Sequence, residues 1–541
     1  MNTRWRYFIV FLVAFALLAG GPEPVSAAPK DGTGQTLTKD GTGLAPTMND
    51  GKQVTKGLDK ITQADRQAAA DRAAAAGLVL EPMAAAALPE AGTMQMTMPG
   101  AAPRYFSHPN YANSPLPGNV VADWNQIAQD ILQPAGGMMM SGGVSMSTAF
   151  VYLAYMQGAV YDALVAIEGG YAPYAYTAAA TDPTASREAA VAAAAYTVLK
   201  HYLPAETTLD GKYAASLAAI PDSTAKTAGI GIGQAAADAM IAARANDGLL
   251  DPETYTVLPS GPGIWEPTRM PDGTVVPPVD PWMATLKPFL RANPDDYRPG
   301  TPYGFTYDPA SPPYDATELA ANAAYMADLA EVRDYGGAMS SLRTADQTAT
   351  AQFWTTNMVI QVNDAYRKLA ESRGLNLLET ARLMVMGNMA ATDSLVLTFD
   401  SKYTYSFWRP ITAIRHTNPD GSYSANELNQ WMPAVMMPSF PEYVTGHSSF
   451  MSAQAEVFTQ FFGTPDIAVD LISTATGTTR HYATAQELRD EVGNARIWGG
   501  LHYRSSNVLA ESLGQQFVQD ALVADGFFAA DAASDTGNHA M

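Results

Sequence analysis

The 541-residue sequence contains no cysteine. That excludes disulfides, a thiolate nucleophile and any cysteine-ligated zinc or iron–sulfur centre, so stability has to come from packing. Charge is sparse as well: 16% of residues are charged, and 32 basic groups face 53 acidic ones, for a net charge of −21. An acidic excess of this size repels phosphate backbones, which sets nucleic acid aside as a partner and favours solubility outside the cell. Strand-like alternation is scarce. After the N-terminus no apolar run reads as long enough for a transmembrane helix, which predicts a chain with no membrane span.

What the sequence does have is apolar bulk. Hydrophobic residues make up 47% of the chain, ample for one large core or two. The opening "MNTRWRYFIVFLVAFALLAGGPEPVSA" pairs a basic start at Arg4 and Arg6 with an apolar run from Phe8 to Ala19 and a small-residue site ending at Ala27. This predicts a signal peptide over residues 1–27 and a secreted or periplasmic mature protein of net charge −22. Residues 28–104 hold two copies of "KDGTG", at Lys30 and Lys39, and read as low-complexity linker with one Ala-rich stretch of helical composition, "ADRQAAADRAAAAGLVL".

From 105 to 250 the text is Ala-rich, broken by Gly and Pro, and predicts an N-terminal helical bundle. Within it Gly229-Ile230-Gly231-Ile232-Gly233 has the look of a dinucleotide loop, but no strand precedes it and no βαβ pattern surrounds it, so it reads as small-residue helix packing. Residues 251–315 form a Pro-rich connection, laid over the surface or an active site. A second helical bundle occupies 316–526, followed by a tail over 527–541. Thr344 with Gln347 forms a capping box for a helix whose face is traced by Trp354, Met358, Val362, Ala365 and Leu369; Gly374 ends it, and Asn376 with Glu379 caps the next. The expected fold is all-α, two packed helical bundles with the active site in the C-terminal half.

Three segments of that half gather the chemistry. In "PSFPEYVTGHSSF", Pro438 and Pro441 hold the chain extended, Thr445 is a candidate N-cap, and Gly446 lets the backbone of a new helix approach a ligand. That helix places Phe450, Ala453, Val457 and Phe461 on one face and stops at Gly463. In "KYTYSFWRPITAIRH", Lys402 and Arg409 lie seven apart and would share a face if the segment is helical. In "ARIWGGLHYRSSN", Arg496 and His502 lie six apart across Gly499 and Gly500. Singly these read as surface charges or structural histidines, like His108, His201, His416, His481 and His539. Brought to one spot, two arginines, a lysine and a helix N-terminus form a cage for a tetrahedral oxyanion, with one histidine as nucleophile or ligand and the other as general acid and base.

The order Lys402, Arg409-Pro410, Gly446-His447, Arg496, His502 resembles the superfamily of vanadium-dependent haloperoxidases and type 2 phosphatidic-acid phosphatases. "AVYDALVAI", "YAPY", "ARLMVMGNMAATDS", "FWRPITAIR" and "FPEY" are similar to its bacterial haloperoxidase-type members, so the likeness spans roughly residues 140–525. The resemblance implies that His502 binds vanadium axially while Lys402, Arg409, Thr445, Gly446 and Arg496 hold the vanadate oxygens, with His447 as acid–base group and Lys402 polarising bound peroxide. Hydrogen peroxide and halide would then be the substrates. Two alternatives remain open: a soluble phosphatase hydrolysing a phosphate ester through His502, with no cofactor, and a non-catalytic oxyanion-binding protein. Two departures from the family pattern are notable. Thr445 replaces the usual serine and narrows the cage, and Ser506 stands where an aspartate often orients the histidine, so His502 is expected to be held less firmly.

Overall fold

Asn119 begins the described fold by accepting a hydrogen bond from the Ala122 amide, which caps α1 (Val120–Leu132). Ser145, Ser186 and Ser223 start three more helices in the same way: α2 (Met146–Glu168), α3 (Arg187–Tyr202) and α5 (Thr224–Ala243), with the short α4 (Thr208–Ala218) between the last two. The computed structural model describes residues 118–529, except for 135–143, 252–254, 270–272, 291–293, 311–312, 525 and 527. The expected signal peptide and linker, and all of the expected tail but Phe528 and Ala529, therefore lie outside the described residues.

The glycine repeat of α5 is a packing device. A Cβ on Gly229 would come within 2.2 Å of the Ser186 carbonyl oxygen, and one on Gly233 equally close to that of Ala190, so α5 rides directly on the backbone of α3. One expectation about membranes needs correcting. Helix α2 is long and apolar enough to cross a bilayer, but its apolar residues are covered by protein, chiefly α3, α5 and a long helix of the second half, as a core helix requires.

The Pro-rich connection is irregular, with short 3₁₀ turns, and is tied to that long helix, α10 (Leu377–Tyr405). Asp393 accepts from the Phe289 and Leu290 amides at 2.7 Å each, and Asp400 takes both Nε and Nη2 of Arg298 at 2.6 Å. Before α10 come α6 (Ala316–Ala321), α7 (Ala323–Gly336), α8 (Ala345–Phe353) and α9 (Met358–Ser372). The capping boxes at Thr344 and Asn376 are present. The single helix expected across 345–372 is instead two. Asn357 caps α9, and the hairpin residue Thr474 accepts the Asn357 amide at 3.1 Å, so a tertiary bond wins over helical periodicity at 354–357.

After α10 follow α11 (Pro410–His416), α12 (Gly446–Phe462), an antiparallel pair β1 (Val469–Ser473) and β2 (Thr478–Tyr482), α13 (Ala485–Trp498) and α14 (Arg504–Gln519). Helices α12 and α14 cross at Gly514, where a Cβ would meet the Ser449 carbonyl oxygen at 2.1 Å. Nearly all of α10 is buried, packed on α2 from one side and α12 from the other, so the two bundles share one core.

Candidate active site

Lys402 sits in the last turn of α10, fully buried, and its ammonium donates to the carbonyls of Pro441 at 3.0 Å and Glu442 at 2.7 Å. The helix then stops: Ser406 is left-handed (φ 47°) and turns the chain, so Lys402 and Arg409 do not share a helical face as their spacing suggested. They meet through the turn. Arg409 precedes Pro410 at the start of α11 and donates from Nε to the Phe440 carbonyl at 2.9 Å and from Nη1 to the Leu501 carbonyl at 2.9 Å. The Phe440 ring lies 5.1 Å from the Lys402 ammonium and 4.9 Å from the Arg409 guanidinium carbon, roofing both cations.

Arg496 ends α13 and donates from Nη1 to the Trp354 carbonyl at 2.9 Å. That carbonyl is exposed because α8 breaks there, and the same oxygen interacts with His447. Beyond α13 a left-handed Gly500 (φ 79°), pressed against Gly336 and Pro433, returns the chain to His502. The His502 Nε2 is 3.0 Å from Arg409 Nη1, and its Nδ1 is 2.7 Å from Glu442 Oε1. Thr445 occupies the N-cap position of α12, but its side chain does not cap; it bonds the Ser506 hydroxyl at 3.1 Å. The first turn of α12 thus keeps its positive end uncapped by any side chain. Lys402, Arg409, Thr445, Arg496 and His502 are buried, whereas Gly446 and His447 are only partly so and mark the side open to solvent.

The electrostatics follow from three buried cations, two of which, Lys402 and Arg409, are coupled to the Glu442 carboxylate. Burial, then the neighbouring Arg409, holds the Lys402 ammonium well below the usual lysine range; burial brings Arg409 down to about 10, and burial with Arg409 brings Arg496 down to about 9. Both imidazoles are pushed well below the ordinary histidine range, first by burial and then by Arg409, Lys402 and Arg496, so both are neutral near pH 7. Burial pushes Glu442 up to about 7 against the opposing pull of Lys402 and Arg409. Among the described residues, Arg409 Nη2 and Arg496 Nε have no hydrogen-bond partner. Among the described residues no cluster of three or more His, Asp or Glu is arranged to hold a metal cation. The cage has the composition of an anion site, and an oxyanion carrying vanadium or phosphorus fits its donors and its imidazole lone pair.

The family described as the VCPO second helical-bundle domain matches residues 382–525, the stretch that carries all seven of these residues. Over that stretch the chain resembles the vanadium haloperoxidases. It is 24% identical to the vanadium chloroperoxidase of Curvularia inaequalis over 33% of this chain, a match that spans 39% of that relative's length. Its fold is that of a bacterial vanadium-dependent iodoperoxidase (TM-score 0.58, 21% identity, 74% of this chain and 95% of that one). It is equally that of a bacterial vanadium-dependent chloroperoxidase in its holo form (TM-score 0.55, 18% identity, 74% and 96%).

Against the family pattern, the expected loosening of His502 by Ser506 is not what the structure shows. Glu442, from the loop before α12, takes the Nδ1 side of the ring, and Ser506 braces Thr445 and interacts with the Glu442 carboxylate. Sequence reasoning missed Glu442, the Trp354 carbonyl and the Phe440 roof. The signal for Glu442 was present: it is the only carboxylate in "PSFPEYVTGHSSF", in a proline-held loop one step from the helix mouth.

Proposed function

We propose that this chain is an exported vanadate-dependent haloperoxidase that oxidises halide with hydrogen peroxide. The observation that carries the reading is the neutral His502 imidazole, its Nε2 lone pair lying among buried guanidinium groups of which two nitrogens have no partner. His502 Nε2 would hold vanadate, with Lys402, Arg409, Arg496, Thr445 and the Gly446 amide on its oxygens. Bound there, vanadate supplies a Lewis-acidic centre that activates hydrogen peroxide for oxygen transfer to a halide.

The chain's own residues do the rest. The three cations neutralise oxyanion charge in a site shielded from water, where each is worth more than at a surface. The Phe440 ring keeps water from the Lys402 and Arg409 side. His447, partly exposed and neutral, is placed to take a proton from incoming peroxide on an imidazole nitrogen and return it to a departing oxygen. Its interaction with the Trp354 carbonyl favours the protonated form and steadies that exchange.

The test is to load the purified protein with orthovanadate and measure peroxide consumption with iodide, bromide and chloride, beside hydrolysis of a generic phosphate ester without vanadate. Halide-dependent peroxide consumption that His502→Ala abolishes supports the proposal. Ester hydrolysis without halide oxidation would instead make the chain a phosphatase with His502 as nucleophile, and tight anion binding without either reaction would make it a binding protein. Export is tested separately: the mature protein should begin near Ala28.

A further inference from the structure

We infer that Glu442 is the positioning residue for His502, fixing the imidazole with its proton on Nδ1 so that Nε2 meets the bound oxyanion. The inference rests on the oxyanion-site reading above. Two independent contacts agree on the tautomer. A guanidinium only donates, so Arg409 Nη1 at 3.0 Å marks Nε2 as the lone-pair nitrogen; Nδ1 then carries the proton, 2.7 Å from Glu442 Oε1. The same oxygen accepts the Tyr503 amide at 3.2 Å, pinning the ring and the backbone that follows it. Glu442 is itself fixed: it is fully buried, its amide donates to the Phe407 carbonyl at 2.9 Å, and its carbonyl accepts from the Lys402 ammonium at 2.7 Å. Ser506 bonds Thr445 and also interacts with the Glu442 carboxylate, so it supports Glu442 and does not take its place at the imidazole.

A competing role would be simple counter-charge for Lys402, Arg409 and Arg496. The two roles predict opposite signs. A carboxylate beside an anion site repels the anion, so if Glu442 only balanced charge, E442Q would tighten anion binding. If it orients and polarises His502, E442Q weakens an anion that bonds to Nε2, by the 10–100-fold typical of losing such a partner. An anion held by charge alone is spared.

The experiment is calorimetric titration of the full chain and of E442Q with orthovanadate and, separately, with sulfate, together with the imidazole ¹⁵N shifts of His502 at pH 8. We expect vanadate to bind E442Q about 10–100-fold more weakly and sulfate no more weakly. The His502 proton should sit on Nδ1 in the wild type and be shared between the two nitrogens in the variant. Equal or tighter vanadate binding by E442Q, or an unchanged tautomer, overturns the inference while leaving the oxyanion site standing. If the wild type binds neither anion, the site itself is wrong and the inference falls with it. Should E442Q melt far below the wild type, E442D keeps the charge but draws it back by one methylene, and a loss for vanadate alone decides the same question.

Discussion

Burying a charged side chain is costly unless something compensates it, and here Lys402 and Arg409 share the Glu442 carboxylate while the nearby Arg496 is shifted by burial and by Arg409. The two histidines in their midst should fail differently. His502→Ala removes the imidazole nitrogen that faces Arg409, so vanadate affinity and turnover should both vanish in a titration followed by a peroxide assay. His447→Ala leaves the donor set intact; binding should persist while turnover falls roughly 10²–10⁴-fold, the usual loss of an acid–base group. A second residue-scale test lies away from the site. Burial pushes Asp123, in the first turn of α1, from 3.8 up to about 7. A raised carboxyl contributes stability below its unfolded value that is lost as pH rises through the folded one. Asp123→Asn should therefore gain on the wild type between pH 4 and 7 and hold a constant difference above that, as read by urea denaturation at each pH.

At the scale of elements, helix starts and stops were the most legible features, because they are local. The capping boxes at Thr344 and Asn376 and the glycines at 374 and 463 mark ends that the folded chain keeps. Features set by distant partners were not legible. The α8 to α9 break depends on Thr474, the left-handed Ser406 undoes the apparent face shared by Lys402 and Arg409, and Thr445 gives up its cap for Ser506. The site residues themselves could be listed from motif and spacing, whereas pairing Glu442 with His502 needed the fold, since sixty positions separate the carboxylate from the imidazole it touches. Packing at glycines gives the element-scale prediction. Gly514→Ala drives a methyl into the Ser449 backbone where α12 meets α14 and should cost about 1–3 kcal/mol in urea denaturation. Gly446→Ala has its nearest neighbour, Thr398 Oγ1, at 4.0 Å, so its melting temperature should match the wild type.

For the molecule as a whole, an under-compensated cationic pocket predicts that ligand and fold are linked. Orthovanadate or inorganic phosphate at a hundred times its dissociation constant should add about 2.7 kcal/mol, visible as a higher melting temperature that His502→Ala abolishes for vanadate. The shared core has a further consequence. The stretch that recurs in relatives, residues 382–525, starts inside α10, a helix whose buried surface is completed by α2 more than two hundred positions earlier. Cut out and expressed by itself, that stretch would keep all seven candidate site residues yet present an uncovered apolar flank to water, and it should precipitate or refuse to fold by circular dichroism. A recurring sequence stretch and a cooperative folding unit draw their boundaries in different places: what can be recognised alone cannot stand alone.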